Sequence, residues 1–480
     1  MENIGRTEQR IEEDPLAARR AMGRGFHSLP REHGLEPLVV EGAIPRELSG
    51  TLYRNGPALF DAQGTPYRHW LDGDGAISAV RIANGRAEGA VRVTLTRELT
   101  EERSKGRMLY SSGFTQGPVW RKRLMGNGKN STNVHVLAWQ GRVFAMPEMG
   151  VPYEIDPTTL ATKGPSKFDG VLRQLVNAHV RTHPTSGNTY AFGPSIGMKN
   201  ALDVYVLPRA GSPRLLVSIP MKRPVMVMHD LAMSDGHLIF LQHPIEITSM
   251  LPMMMGMGSP MEAIAWNEKL GSEVIVVPLA QPAEVVRFEV APFFRFHYGN
   301  AFEESGSIAV DLCRYGGFSL GDTFMLDALR SGEAWKRAPV ATYERLHLDL
   351  KKRDARFERI WDANADFVIT HPKKQGLRPR FIWALVCRDH VDGIEKLDLT
   401  TGEVRRSTFP LAECPGEPTF VPRPGATDED DGWILTMVYD GATDTSYVAV
   451  LDARDPAHTL AKLRFDHHVP FPIHGTWVGA

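Results

Sequence analysis

The chain has 480 residues, with 55 Lys and Arg against 57 Asp and Glu, for a formal charge of −2. A balance this close to zero excludes a protein coated with cations to hold nucleic-acid backbones, and 42% hydrophobic with 23% charged residues is an ordinary globular composition. Three cysteines, Cys313, Cys387 and Cys414, are odd in number and follow no CxxC spacing, which argues against a disulfide framework or a cysteine-held zinc.

Residues 1–40 read as a polar lead-in with one short helix near Glu12–Met22, and residues 41–480 as a single domain. The first 22 residues are charged throughout and lack the apolar core of a signal peptide. No stretch reaches the roughly 18 apolar residues that span a bilayer, so the expected location is cytoplasmic.

Beyond the lead-in, short β-like runs bounded by Gly, Pro, Asp and Asn dominate. GRVFAMPE (141–148), GNTYAFG (187–193), GHLIFLQHP (236–244), GSIAVDLCRY (306–315), PRFIWALVCR (379–388) and GWILTMVYDG (432–441) are examples, and several of them are followed by a second such run. The grammar is a Gly-led inner strand, a variable loop, then an outer strand ending on Asp, Pro or Gly. It recurs from starts near 141, 187, 236, 306, 380 and 432, with intervals longer than a minimal propeller blade of about 40–50 residues. The pattern predicts an all-β protein, a closed propeller whose blades carry insertions, with an array of β-sandwiches as the fallback.

One segment departs from this grammar. Ten of the 19 methionines lie between Met221 and Met261. Met250–Met261, in SMLPMMMGMGSPM, reads either as a loop packed on the propeller or as an apolar lip that touches a membrane at its periphery.

No HExxH, EF-hand, P-loop or GxSxG motif occurs. Asp74-Gly75 in HWLDGDG lacks the remaining ligands of a calcium loop and reads as a tight turn. Four of the 17 histidines lie in or beside apolar runs: His179 in LVNAHV, His229 in VMVMHDLAM, His297 in FFRFHYGNAFEE and His474 in FPIHGTW. A local zinc motif clusters its ligands within a few residues, whereas these are far apart in the chain. A propeller brings one residue from each of several blades to its axis. Spacing alone leaves them either core histidines or metal ligands.

From about Glu41 to Trp477 the sequence resembles the carotenoid cleavage oxygenase family. EGAIPRELSGTLYRNGP, HWLDGDG, NAHVRTHPTSG, MHDLAMSDGHLIF, FHYGNAFEESGSIAVDLCRY, GEPTFVPRPGATDEDDGWILTMVYD and IHGTW stand in the family's order. The resemblance implies a seven-bladed β-propeller with a loop and helical cap over a central iron site. It makes His179, His229, His297 and His474 the ligands of one non-haem Fe(II) per chain. Val180 follows the first of these where proline is usual in the family, and His183 is a decoy. Glu148, Asp366 and Glu417 match carboxylates that hydrogen-bond the ligand histidines, with aspartate at 366 where glutamate is usual.

Four neutral imidazoles suit a borderline divalent metal. Carboxylates on their other ring nitrogens fix the tautomers and supply negative charge, and four protein ligands leave octahedral positions free for O2. The implied reaction is cleavage of a C=C bond by O2 to two carbonyl products. Pro147 precedes Glu148 where the lignostilbene branch has lysine, and Leu99 takes the place of an upstream tyrosine. Both departures favour an apolar carotenoid or apocarotenoid over a stilbene or phenylpropene. Val134 (or Thr132, two residues away), Phe296 and Ile473 are further candidates for the pocket wall. The expected partners are O2 and an apolar alkene, with no nucleic acid and no sequence signal of oligomeric state. Rival readings are a non-catalytic propeller that binds apolar ligands and an isomerase of the same family.

Overall fold

The Gly-led runs fold as strands because the glycines form tight hairpin turns. Asn84-Gly85, Gln140-Gly141 and Ser305-Gly306 each have two successive residues at positive φ, between +48° and +82°. Such pairs make the two-residue turns that match the twist of paired strands, and glycine takes that backbone conformation without a Cβ penalty.

In the computed structural model, which describes residues 14–120, 128–249, 251–255, 257–318, 323–334, 340–387 and 391–480, seven antiparallel sheets form the blades of a propeller. Blade 1 is built on Gly50–Leu59, Asp74–Ala83 and Arg86–Val93, blade 2 on His135–Trp139 through Thr162–Pro165, and blade 3 on Arg181–Thr182 through Arg214–Met221. Blade 4 runs from Ala232–Met233 to Val286–Val290, blade 5 from Phe294–Glu304 to Asp354–Trp361, and blade 6 from Ala365–Ile369 to Val404–Arg406. Blade 7 runs from Glu413–Pro415 to Thr459–Arg464.

Apolar clusters lie between consecutive blades. Tyr53 and Ile77 of blade 1 meet Val136 and Val143 of blade 2, and Leu52 and Val80 of blade 1 meet Leu435 and Val450 of blade 7. The core is therefore a ring of seven interfaces, in which every sheet buries both faces.

The Gly-led strands are the second strand of each blade rather than the innermost. On the axial side of each lies another strand, two residues long in blades 3 and 4 (Arg181–Thr182 and Ala232–Met233). These axial strands begin beside polar site residues, so most give no apolar run for the sequence to display. The seventh blade, absent from the recurring starts, is blade 1. His474–Gly479 pairs with Gly50–Leu59 and closes it from the C-terminal side.

The expected lead-in, 1–40, does not stop short of the propeller. His33–Pro37 pairs with Arg86–Val93 at the outer edge of blade 1, and Val39–Gly42 with Thr459–Arg464 at the outer edge of blade 7. The propeller therefore takes in strands from before residue 41. The helix near Glu12–Met22 is Pro15–Gly23, capped by the Asp14 carboxylate on Leu16 N–H, with proline in the first turn where no N–H is needed. Among the described residues no helix is long and apolar enough to cross a membrane.

Candidate metal centre

Each of the four singled-out histidines comes from a different blade. His474 opens the axial strand of blade 1, His179 and His229 stand two and three residues before the axial strands of blades 3 and 4, and His297 lies within that of blade 5. Their Nε2 atoms stand 3.2 Å (179–229), 3.1 Å (229–297), 3.2 Å (297–474) and 3.1 Å (474–179) apart. The ring centroids of the two diagonal pairs are 5.2 and 6.0 Å apart, against 4.3–5.0 Å for neighbours. The four nitrogens therefore form a closed ring of contacts, all close enough together for a single cation to reach each of them at a metal–imidazole bond length. The donor set fits a divalent metal that keeps further positions open.

The remaining three blades contribute the three carboxylates. Glu148 of blade 2 takes the His229 Nδ1–H at 3.0 Å, Asp366 of blade 6 that of His297 at 2.9 Å, and Glu417 of blade 7 that of His474 at 2.8 Å. With Nδ1 so engaged, each Nε2 lone pair is turned to the axis. His179 differs, since its Nδ1 lies 3.8 Å from Asp230, beyond hydrogen-bond reach.

Burial lowers the His179 and His474 rings well below the ordinary imidazole value, and the neighbouring histidines lower them further. Both are thus neutral and able to ligate. Burial also acts to lower His297, but the Asp366 charge outweighs it and raises this ring. The Asp366 carboxyl, which burial alone would raise, is held at about 2 by His297 and by the Tyr315 hydroxyl.

Several residues at the site escaped sequence reasoning. Arg54, fully buried, donates to Glu417 at 2.6 Å and to the Ile473 carbonyl at 2.9 Å. Asp230 ties Arg181 at 2.6 Å and the Tyr298 N–H at 2.9 Å. Phe367, at φ +51°, sets its ring 4.8 Å from His297 and 5.3 Å from His474. A non-glycine residue in that region is a strained conformation of the sort found at functional sites. His135 lies 5.5 Å from His179, and burial lowers its ring to about 3. No motif marks these residues, because each acts on a partner far away in the chain. A charged arginine inside RNGP, within an otherwise buried strand, is the single usable signal.

A cavity of about 990 Å³ opens onto His229, His297 and His474. Val134, Pro147, Phe296 and Ile473 line it, as does Thr132. Leu99, expected in the wall, does not. It sits in the helix Arg97–Lys105, and its side chain packs into the apolar core between blades 7 and 1 while Arg97 and Glu98 face the cavity. Aligning positions along a helix does not preserve which side each residue faces, because each residue turns by about 100°. His183 binds the Asp235 carbonyl at 3.1 Å and is not one of the four grouped histidines.

The profile of the family described as retinal pigment epithelial membrane protein matches residues 26–479. The chain is 31% identical to the apocarotenoid-15,15′-oxygenase of Synechocystis sp., with 95% of each chain covered. It is 28% identical to resveratrol cleavage oxygenase 1 of Aspergillus fumigatus, over 95% of this chain and 94% of that one. It is 27% identical to the isoeugenol monooxygenase of Pseudomonas nitroreducens, over 93% and 95% respectively. The crystal structure of a cobalt-substituted Synechocystis apocarotenoid oxygenase, 29% identical, superposes with a TM-score of 0.88 over 96% of this chain and 99% of that one. Matched over nearly its whole length in sequence and in fold, the chain belongs to the carotenoid cleavage oxygenase family.

Proposed function

We propose that this dioxygenase holds one Fe(II) on His179, His229, His297 and His474 and uses O2 to split a C=C bond of an apolar conjugated alkene, a carotenoid or apocarotenoid, into two carbonyl products. The observation that carries this reading is the cluster of four imidazole nitrogens opening onto a cavity of about 990 Å³. That volume is at the upper end of small-molecule sites, as a long ligand requires. When bound, the iron supplies a centre that activates O2 beside the double bond.

The chain's own groups do the rest. Glu148, Asp366 and Glu417 keep three rings in one tautomer and place negative charge near a dication held by neutral ligands. Val134, Phe296, Phe367 and Ile473 form an apolar wall beside the four histidines, excluding water and holding the alkene in place. Pro147 offers no donor to a phenolate. The Lys129 ammonium, also in the wall, is already engaged by Asp74, Glu102 and Tyr67.

The test is to load the protein with Fe(II) and offer apocarotenals and a stilbene and vinylphenol panel under labelled O2, with products identified by mass spectrometry. Labelled carbonyls from the polyenes are expected. Cleavage confined to the aromatic panel rejects the polyene assignment and keeps the reaction. Polyene isomerisation without O2 uptake, or binding without turnover, rejects cleavage altogether.

The reading extends to the cavity mouth. Pro260 and Met261 line the cavity, and in the adjoining segment Leu251, Met255 and Met257 are 60%, 60% and 68% exposed. Met250 and Gly256, with the side chains of Met253 and Met254, lie outside the described residues. Exposed apolar groups at the rim of an apolar cavity suit peripheral contact with a lipid surface from which the substrate is drawn. Replacing Leu251, Met255 and Met257 with serine is expected to slow turnover of substrate offered in liposomes several-fold more than in detergent. Equal slowing in both media assigns the segment to packing instead.

A further inference from the structure

Three carboxylates hold a histidine Nδ1 at the axis, and two of them are glutamates. Asp366 is one methylene shorter, yet it reaches His297 at 2.9 Å, a distance that matches the contacts of Glu148 and Glu417. Part of the reach comes from the backbone. The pairing of Ala365–Ile369 with its neighbour is irregular between Asp366 and Ile369, Phe367 takes φ +51°, and the Phe367 N–H donates to Asp366 Oδ1 at 2.8 Å. The rest comes from a side chain. The Tyr315 hydroxyl donates to Asp366 Oδ2 at 2.5 Å, and the buried Cys313 thiol lies against the same carboxylate.

Tyr315 ends the strand Ser307–Tyr315, which pairs directly with the strand carrying His297. Hydroxyl, carboxylate and imidazole therefore form one line that leaves blade 5, turns in blade 6 and returns to blade 5. Burial and the Asp366 charge push the Tyr315 hydroxyl well above its ordinary value, so it remains a donor. Asp366 has both oxygens engaged in this way, whereas Glu148 Oε1 is buried with no partner among the described residues.

We propose that Tyr315 is a positioning residue of the metal centre, its hydroxyl standing in for the methylene that Asp366 lacks and pinning the short carboxylate so that His297 presents Nε2 to the metal. The inference rests on the four histidines being the metal ligands. It has a compositional signature: exchanging Asp366 for glutamate adds one carbon, and exchanging Tyr315 for phenylalanine removes one oxygen from the adjoining space. The two exchanges together conserve the number of heavy atoms at the contact, so the longer carboxylate gains room where the hydroxyl stood.

The experiment titrates Co(II) into the metal-free protein, following affinity and the visible cobalt spectrum, with thermal melts as the control for folding. Tyr315→Phe and Asp366→Glu are each expected to weaken cobalt binding about 10-fold, the lower end of the range for partners of ligating residues, and to shift the spectrum. The combined variant is expected to return to within about 3-fold of the parent, with the parental spectrum. Unchanged affinity and spectrum in Tyr315→Phe overturns the proposal, as does a combined variant as weak as the product of the two single ones. If a single variant does not fold, the combined variant decides, because one that melts and binds like the parent supports the pairing and one that melts alike but binds 10-fold more weakly rejects it. A parent that takes up no stoichiometric cobalt overturns the metal reading itself, and this inference with it.

Discussion

His474→Ala is expected to lose nearly all bound metal and all alkene cleavage, while the propeller stays folded. His474 has no solvent exposure, and its Nε2 is one of the four clustered nitrogens, 3.1 and 3.2 Å from its neighbours. Three nitrogens leave a dication with a gap where the Glu417-oriented imidazole stood. The expected fall in turnover exceeds about 100-fold, beyond the roughly 10–100-fold cost of disturbing a residue that only orients a ligand. The strand itself survives, because His474–Gly479 is held by backbone pairing to Gly50–Leu59. Iron content by elemental analysis, turnover under O2 and far-ultraviolet circular dichroism together check the prediction. Normal iron and normal turnover in this variant would sink the site assignment.

Lys129→Met is expected to have the largest effect on stability. The Lys129 side chain has no exposure and donates to Asp74 at 2.8 Å, Glu102 at 2.6 Å and the Tyr67 hydroxyl. It joins blade 1 to the helix Arg97–Lys105 beside the cavity. Removing it leaves two carboxylates buried with no cation, a change that costs about 3–5 kcal/mol.

The pH dependence gives a second check. Burial already raises the Asp74 carboxyl against the opposing pull of Lys129, and without the ammonium it rises further. An acid whose folded value lies above its unfolded one takes up a proton on folding, so the deficit grows with pH up to the folded value and shrinks as pH falls below it. Urea unfolding at pH 7.5 and pH 5.5 is expected to show the larger gap from the parent at pH 7.5. An equal gap at both values removes the buried-charge explanation.

The features that the sequence displays are local ones. Glycines at 141 and 306 end two-residue turns and announce the strands behind them, so several blades are legible from the chain. Blade 1 is not, because its axial strand arrives more than 400 residues after its neighbour. The histidines give no periodic signal, since three of them flank or open axial strands and do not sit in the apolar runs that mark the second strands. Family resemblance singled out the four histidines and three carboxylates that the fold gathers at the axis. It did not single out Arg54, Tyr315 or Phe367, whose importance lies in what each touches across the ring. Leu99 misled for the opposite reason, because its place in the alignment is a wall position while its side of the helix belongs to the core.

The pairing of His474–Gly479 with Gly50–Leu59 also sets an order of events during synthesis. While the chain is still emerging from the ribosome, six blades can stack, but residue 474 comes late, and until it emerges both the ring of blades and the cluster of nitrogens are incomplete. A nascent chain or a prematurely terminated one carries three of the four histidines and an unpaired sheet edge on blade 1. A complete set of four metal-binding nitrogens therefore exists only after His474–Gly479 has been translated and has paired with Gly50–Leu59.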